Sequence, residues 1–218
     1  MYETVTAAVH FLDALGQAQA RTVPYRHWLL REVLPEAMRR EIAALPVPAP
    51  EIGDSQGRRE THNATRWFFG TREQQRFSVC RDLALMLQSP AVVEALEETC
   101  AVSLRGSYLR IEYCQDGDGF WLEPHTDIGA KFFTMLIYLT DSAPGEEWGT
   151  DIYAGPEAHF ATVPFRQNHG LIFVPGNDTW HGFEKRPITG VRRSLIVNYV
   201  TPEWRARHEL AFPDMPVL

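Results

Sequence analysis

Cysteine is scarce in this chain: Cys80, Cys100 and Cys114 are an odd set of three with no CxxC pair. That usage argues against a zinc finger or a thioredoxin-like site and suits a reducing compartment. Long apolar runs are missing too, none approaching the roughly 20 residues that cross a bilayer. The start, Met1-Tyr2-Glu3-Thr4, has neither the basic residues nor the apolar stretch of a signal peptide. A cytoplasmic protein without a membrane partner is the expectation. Positive charge is in deficit, with 21 Lys and Arg against 28 Asp and Glu and a formal net charge of -7. A surface that grips DNA or RNA needs clustered basic residues. Only short pairs such as Arg39-Arg40 and Arg58-Arg59 occur, so nucleic acid is not an expected partner.

What is present is an ordinary globular composition: 218 residues, 44% hydrophobic and 22% charged. That length suits a single domain, residues 1–218, with a sizeable core. The first part, 1–103, reads as mainly helical. Apolar residues at helical spacing predict helices over Val5–Ala18, Pro35–Leu45, Arg81–Leu87 and Ala91–Cys100, the last opened by Ser89-Pro90. Pro24–Leu30 reads as a short extended piece, and Gly53–Ala64 as a loop. From about Leu104 the texture changes to short segments rich in Val, Ile, Tyr, Phe and Leu. Tyr108–Cys114, Phe132–Thr140, Asp151–Tyr153, Gly170–Val174 and Val191–Val200 read as strands. Turn signals separate them, including Asp116-Gly117-Asp118-Gly119, Ala143-Pro144-Gly145 and Pro175-Gly176-Asn177-Asp178. Helices followed by many short strands predict an α+β, mainly β, domain. Its helices brace a barrel or sandwich over 104–200, and 201–218 form a C-terminal tail.

Three short elements could carry chemistry. His125-Thr126-Asp127 follows the aromatic segment Phe120-Trp121-Leu122. Residues two apart on a strand share a face, so an imidazole and a carboxylate converge there. Taken alone, the tripeptide reads more readily as a polar surface turn. The second element, Asp178-Thr179-Trp180-His181-Gly182, follows the apolar strand Leu171-Ile172-Phe173-Val174 and a Pro-Gly turn. His181 could be a packed core residue. Two His and one carboxylate, however, also form a facial triad that leaves positions open on Fe(II) for a chelating cosubstrate and O2. In the third element, alternation puts Arg192, Ser194, Ile196 and Asn198 on one strand face and Arg193, Leu195, Val197 and Tyr199 on the other. A guanidinium and a hydroxyl two residues apart make a receptor for a carboxylate. Arg193 is the rival, because a slip of one residue exchanges the faces.

The order His125-x-Asp127, His181, Gly190-x-Arg192-x-Ser194 resembles the 2-oxoglutarate/Fe(II)-dependent oxygenase superfamily. It is most similar to the small bacterial enzymes related to prolyl hydroxylases and phytanoyl-type hydroxylases. The resemblance covers roughly Tyr108 to Val200 and takes in Tyr108–Tyr113, Met135–Leu139 and the pair Gly149-Thr150. It implies a double-stranded β-helix, or jelly roll, with supporting N-terminal helices. It also implies iron held by His125, Asp127 and His181, with the distal carboxylate of 2-oxoglutarate on Arg192 and Ser194 and a further contact from Tyr113, which reads equally as a core tyrosine. The implied reaction consumes O2, releases succinate and CO2, and hydroxylates an unactivated C–H bond of a small-molecule or peptide-like substrate. Related halogenases have Gly or Ala where this chain has Asp127, so the intact carboxylate favours hydroxylation, with desaturation or cyclisation still open. Two other readings compete: a cupin-like metal-dependent isomerase or hydrolase on the same barrel, and a non-catalytic binding module. The Arg192–Ser194 element counts against the first and the complete ligand set against the second. Ala143–Asn168 and Gly53–Phe69 are expected at the mouth of the pocket. His159 and His169 either face the substrate or are structural. Arg110 and Glu112 share a face, as an ion pair inside the barrel mouth or on a solvated outer surface.

Overall fold

The computed structural model describes residues 2–59, 66–140 and 146–218. In chain order the first half contains α1 (Tyr2–Gly16), β1 (Gln19–Arg21), β2 (His27–Leu30), α2 (Glu36–Ala43), β3 (Trp67–Phe68), α3 (Thr71–Arg76), α4 (Ser78–Leu87) and α5 (Pro90–Cys100). The second half contains β4 (Tyr108–Asp116), β5 (Leu122–His125), β6 (Lys131–Tyr138), β7 (Asp151–Tyr153), β8 (His159–Thr162), β9 (Gly170–Phe173), β10 (His181–Phe183) and β11 (Arg192–Val200). The strands form two antiparallel sheets. One has seven strands in the order β1-β2-β9-β6-β11-β4-β3, and the other has four in the order β5-β10-β7-β8.

The long strands of the larger sheet are buried on both faces, and their apolar residues alternate with buried polar ones. Leu109, Ile111 and Tyr113 of β4, Phe133, Met135 and Ile137 of β6, and Leu195, Val197 and Tyr199 of β11 face the helices. There they pack with Phe11, Leu83 and Leu96 from α1, α4 and α5. Each fully buried Leu or Phe of this layer contributes about 1.5–3 kcal/mol. The alternate residues face the smaller sheet. Leu136, Tyr138, Leu171 and Phe173 meet Ile152, Phe183 and Trp148 in a second core. The inward face also carries Arg110, Glu112, Thr134, Arg192, Ser194 and Asn198, all buried. Period-two alternation therefore separates a helix-supported outer core from a polar inner lining.

The helices match their expected positions within a few residues. α5 starts with Pro90 in its first turn after an extended Ser89 (φ -66°, ψ 141°). Ser89 makes no cap bond; its hydroxyl instead donates back to the Met86 carbonyl at 2.7 Å. The stretch 1–103 also supplies three strands to the large sheet. β2 pairs with β9 through Trp28↔Ile172 and Leu30↔Gly170, so Pro24–Leu30 is structural sheet rather than a connector. β1, β3, α3, β8 and β10 had no counterpart in the sequence reading. Strands of two to four residues are too short to display a period, and the equally short β7 and β9 were read from their composition and flanking turns instead. The turn Ala143-Pro144-Gly145 and residues 60–64 of the Gly53–Ala64 loop lie outside the described residues. Among the described residues, no helix is long and apolar enough to cross a membrane.

Candidate metal centre

A cavity of about 420 Å3 is lined from both sheets. β10 lies antiparallel to β5 with His181 opposite His125, and the two imidazole centroids are 4.4 Å apart at 50°. Gly182 permits this approach, because a Cβ at that position would stand 2.9 Å from the Leu122 carbonyl oxygen and 3.2 Å from that of Glu123. β5 ends at His125, so Asp127 reaches the site from the turn beyond the strand and not from the strand face itself. Even so, one ligand atom from each of His125, Asp127 and His181 lies within 4.8 Å of the others.

Each ligand is oriented by a hydrogen bond. Nδ1 of His125 is 2.8 Å from the Glu123 carbonyl and Nδ1 of His181 is 3.0 Å from that of Thr179. A carbonyl only accepts, so Nδ1 carries the proton in both rings and Nε2 keeps its lone pair for a metal. Oδ2 of Asp127 accepts from Thr134 Oγ1 at 2.7 Å, and Oδ1 accepts from Lys131 Nζ at 2.5 Å. Behind Thr134, Asn198 Nδ2 donates to Oγ1 at 2.9 Å, and Arg110 Nη1 donates to Asn198 Oδ1 at 3.0 Å. Threonine has one hydroxyl proton, so an incoming amide bond commits that proton to Asp127. Burial pushes the His181 imidazole down to about 4, helped by the neighbouring His125 ring. Burial acts to raise the Asp127 carboxyl, but the charge on Lys131, the His181 ring and the two hydrogen bonds outweigh it and hold the group at about 2. Near neutral pH, His181 and Asp127 are thus in their metal-ligating protonation states.

A second group of polar residues shares the cavity. Arg192 is buried, with Nε donating to the Trp148 carbonyl at 2.6 Å, Nη1 to Asp116 Oδ2 at 2.6 Å, and the guanidinium 4.7 Å from the Phe183 ring centre. The other Asp116 oxygen accepts from Arg59 Nη1 at 3.1 Å. One carboxylate between two guanidinium groups leaves a positive charge unbalanced. Ser194 lines the same cavity, and its hydroxyl is buried without a hydrogen-bond partner. Leaving such a group unsatisfied costs about 1–3 kcal/mol, which a bound acceptor would remove. Thr150, of the Gly149-Thr150 pair, also lines the cavity. Arg193 does not, since its parity on β11 turns it to the opposite face.

Tyr113 requires a correction. It shares the parity of Leu109 and Ile111, packs in the helix-side core, and makes an edge contact with Trp67 at 6.0 Å. Its ring is on the wrong side of the sheet to touch a ligand of this cavity. His159 and His169 do not line the cavity; their rings bond to Asp151 Oδ1 at 3.4 Å and to the Gln167 carbonyl at 3.0 Å. Arg110 and Glu112 do face inward as a pair at 3.0 Å, and Arg66 adds two bonds to Glu112 at 2.8 and 2.7 Å. Burial acts to raise the Glu112 carboxyl, but these cations hold it well below the usual carboxylate range. From the two expected mouth segments, Gly57, Arg58, Arg59, Arg66 and Thr150 line the cavity among the described residues. Sequence reasoning missed Lys131, Thr134 and Trp204, and placed Asn198 on the Arg192 face without giving it a role. The inward parity of Thr134 on β6 and of Asn198 on β11 was the available signal for these two.

No protein-family model and no curated protein matches the sequence. Solved structures do resemble the fold. A prolyl-4-hydroxylase from Pseudomonas putida superposes with a TM-score of 0.55 at 14% identity, over 89% of this chain and 94% of that one. A prolyl hydroxylase from Trichoplax adhaerens, in complex with a hypoxia inducible factor peptide fragment, gives 0.58 at 12% identity, over 94% and 93%. The non-heme alpha ketoglutarate dependent epimerase SnoN from nogalamycin biosynthesis gives 0.50 at 16% identity, over 89% and 83%. The chain has the jelly-roll fold of these proteins, with its N-terminal helices packed on the outer face of the larger sheet.

Proposed function

We propose that the protein is a non-haem Fe(II)- and 2-oxoglutarate-dependent oxygenase that hydroxylates an unactivated C–H bond of a small-molecule or peptide-like substrate. One juxtaposition carries this reading. Three ligand atoms of facial-triad type, within 4.8 Å of one another, share a cavity with a buried guanidinium and a buried, unpartnered hydroxyl. His125, Asp127 and His181 would hold the metal. Arg192 and Ser194 would hold the distal carboxylate of 2-oxoglutarate through charge-assisted hydrogen bonds. When bound, the metal and its cosubstrate supply the oxidising chemistry, spending O2 and releasing succinate and CO2.

The chain's own part is positioning and exclusion. The Glu123 and Thr179 carbonyls keep both imidazoles aimed inward. Thr134 holds one oxygen of Asp127 in place. Asp116 and the Trp148 carbonyl fix the plane of Arg192 before any ligand arrives, which lowers the entropy cost of capturing a carboxylate. Phe120, Leu122, Leu136, Phe183 and Ile196 give apolar walls that limit water near the reacting atoms. An isomerase or hydrolase of cupin type has no use for a distal carboxylate receptor, so the Arg192–Ser194 pairing favours the oxygenase reading. The two prolyl hydroxylases support hydroxylation and the peptide bound to the Trichoplax adhaerens enzyme supports a peptide-like ligand, whereas the epimerase ties the same cosubstrate to another outcome.

Incubating the protein with Fe(II), 2-oxoglutarate and air, and quantifying succinate, tests the proposal. Iron-dependent succinate formation is expected even without the primary substrate, and a mass gain of one oxygen in a substrate screen identifies hydroxylation. Absence of both 2-oxoglutarate binding and succinate would remove the basis for the reading.

A further inference from the structure

The proposed metal and cosubstrate leave part of the cavity lining unexplained. Six cationic side chains line it among the described residues: Arg58, Arg59, Arg66, Arg110, Lys131 and Arg192. Against them stand Glu112, Glu123, Asp127 and Glu209 in the lining, and Asp116 bonded between Arg59 and Arg192. A divalent metal and doubly charged 2-oxoglutarate cancel each other. Among the described residues the loaded lining therefore keeps one surplus positive charge, in a chain whose net charge is -7. Low-dielectric walls focus such a surplus on an incoming ligand.

The polar groups left over point to the same ligand chemistry. Nε1 of Trp204 is buried with no acceptor, on a residue that lines the cavity. The Arg110 guanidinium lies 5.3 Å from the Trp204 ring centre. The carboxylates nearest to that guanidinium are already engaged: Glu209 accepts from Arg110 Nε at 2.6 Å, and Glu112 is held by Arg110 and Arg66. Neither carboxylate bonds to Trp204 Nε1, which has no hydrogen-bond partner. Arg58 is exposed and makes no side-chain bond among the described residues. An indole N–H and a guanidinium only donate, so the missing partner is an acceptor.

We propose that the compound oxidised in this cavity is a small acid. Its carboxylate or phosphate accepts from Trp204 Nε1 beside Arg110, and Arg58 at the rim adds attraction for the anion. This inference rests on the oxygenase reading for its assignment of Arg192 and Ser194 to 2-oxoglutarate. It assigns the remaining donors to the substrate.

The test is anaerobic calorimetry on the whole chain loaded with Mn(II) and saturating 2-oxoglutarate, which occupies the Arg192 receptor. Benzoate, phenyl phosphate and neutral benzamide are titrated separately, so that ring size stays constant while the head group changes. At least one acid is expected to bind about tenfold or more tighter than benzamide, as a charge-assisted hydrogen bond implies. The tighter of the two acids identifies the head group. The preference should fall below about threefold in Trp204→Phe, which keeps the ring and loses the donor, and should weaken in Arg58→Gln. 2-Oxoglutarate affinity should stay unchanged in both variants. Benzamide matching both acids, no binding by any of the three, or a preference that survives both substitutions would overturn the inference. Loss of the oxygenase reading is seen separately, as failure of 2-oxoglutarate itself to bind, and Trp204→Phe then distinguishes an acid held at Trp204 from one held at the vacant Arg192 receptor.

Discussion

Asp127 is held by two donors of different kinds, a charged ammonium from Lys131 and a neutral hydroxyl from Thr134. The hydroxyl is the terminal link of a buried chain through Asn198 to Arg110. Thr134→Val keeps the shape but removes that link, and should weaken Co(II) or Mn(II) binding by about 10–100-fold; Thr134→Ser should restore most of it. Equilibrium metal titration reads this directly. On β11 the contrast is between neighbours. Arg192→Ala should lower 2-oxoglutarate affinity by roughly 2–5 kcal/mol, while Arg193→Ala, on the far face, should leave it near wild type. His181 gives a pH signature in the metal-free protein. Burial holds its folded value at about 4, below the ordinary 6.5. Between those values the unfolded chain binds a proton that the folded chain refuses, so stability is lost as pH falls. The slope from this residue is at most about 1.4 kcal/mol per pH unit. Urea unfolding at pH 7 and pH 5 should show a smaller loss in His181→Asn than in wild type.

β5 and β10 are short elements on which the site depends. Gly182 lets the backbone of β10 press against Leu122 and Glu123, which keeps His181 opposite His125. Gly182→Ala should cost about 1–3 kcal/mol in thermal or urea unfolding and reduce metal affinity by widening the separation of the two strands. The elements differ in how legible they were in the sequence. β4, β6, β9 and β11 were readable because their composition is β-branched and aromatic over four to nine residues. The parity that put Arg192 and Ser194 together on β11 could be counted from the chain alone. The same counting, applied to Tyr113, places it with Leu109 and Ile111 on the helix side; a family likeness had suggested otherwise. β8 and β10, of four and three residues, carry no periodic signal. Trp204 lies beyond the last strand, where only tertiary contacts reveal that it borders the cavity.

At the scale of the molecule, the two sheets divide the labour. The larger is clamped from outside by α1, α4 and α5 and presents Arg110, Thr134, Arg192, Ser194 and Asn198 inward. The smaller supplies His181 and, with the turn after β5, His125 and Asp127. A site assembled across two sheets depends on their spacing, so ligand and metal should support each other's binding. Anaerobic calorimetry of 2-oxoglutarate with and without Fe(II) tests this most directly. The account predicts binding that requires Fe(II) in the wild-type chain and disappears in Asp127→Ala while the fold persists by circular dichroism. Binding of 2-oxoglutarate that ignores Fe(II), or that survives loss of Asp127 unchanged, would contradict it.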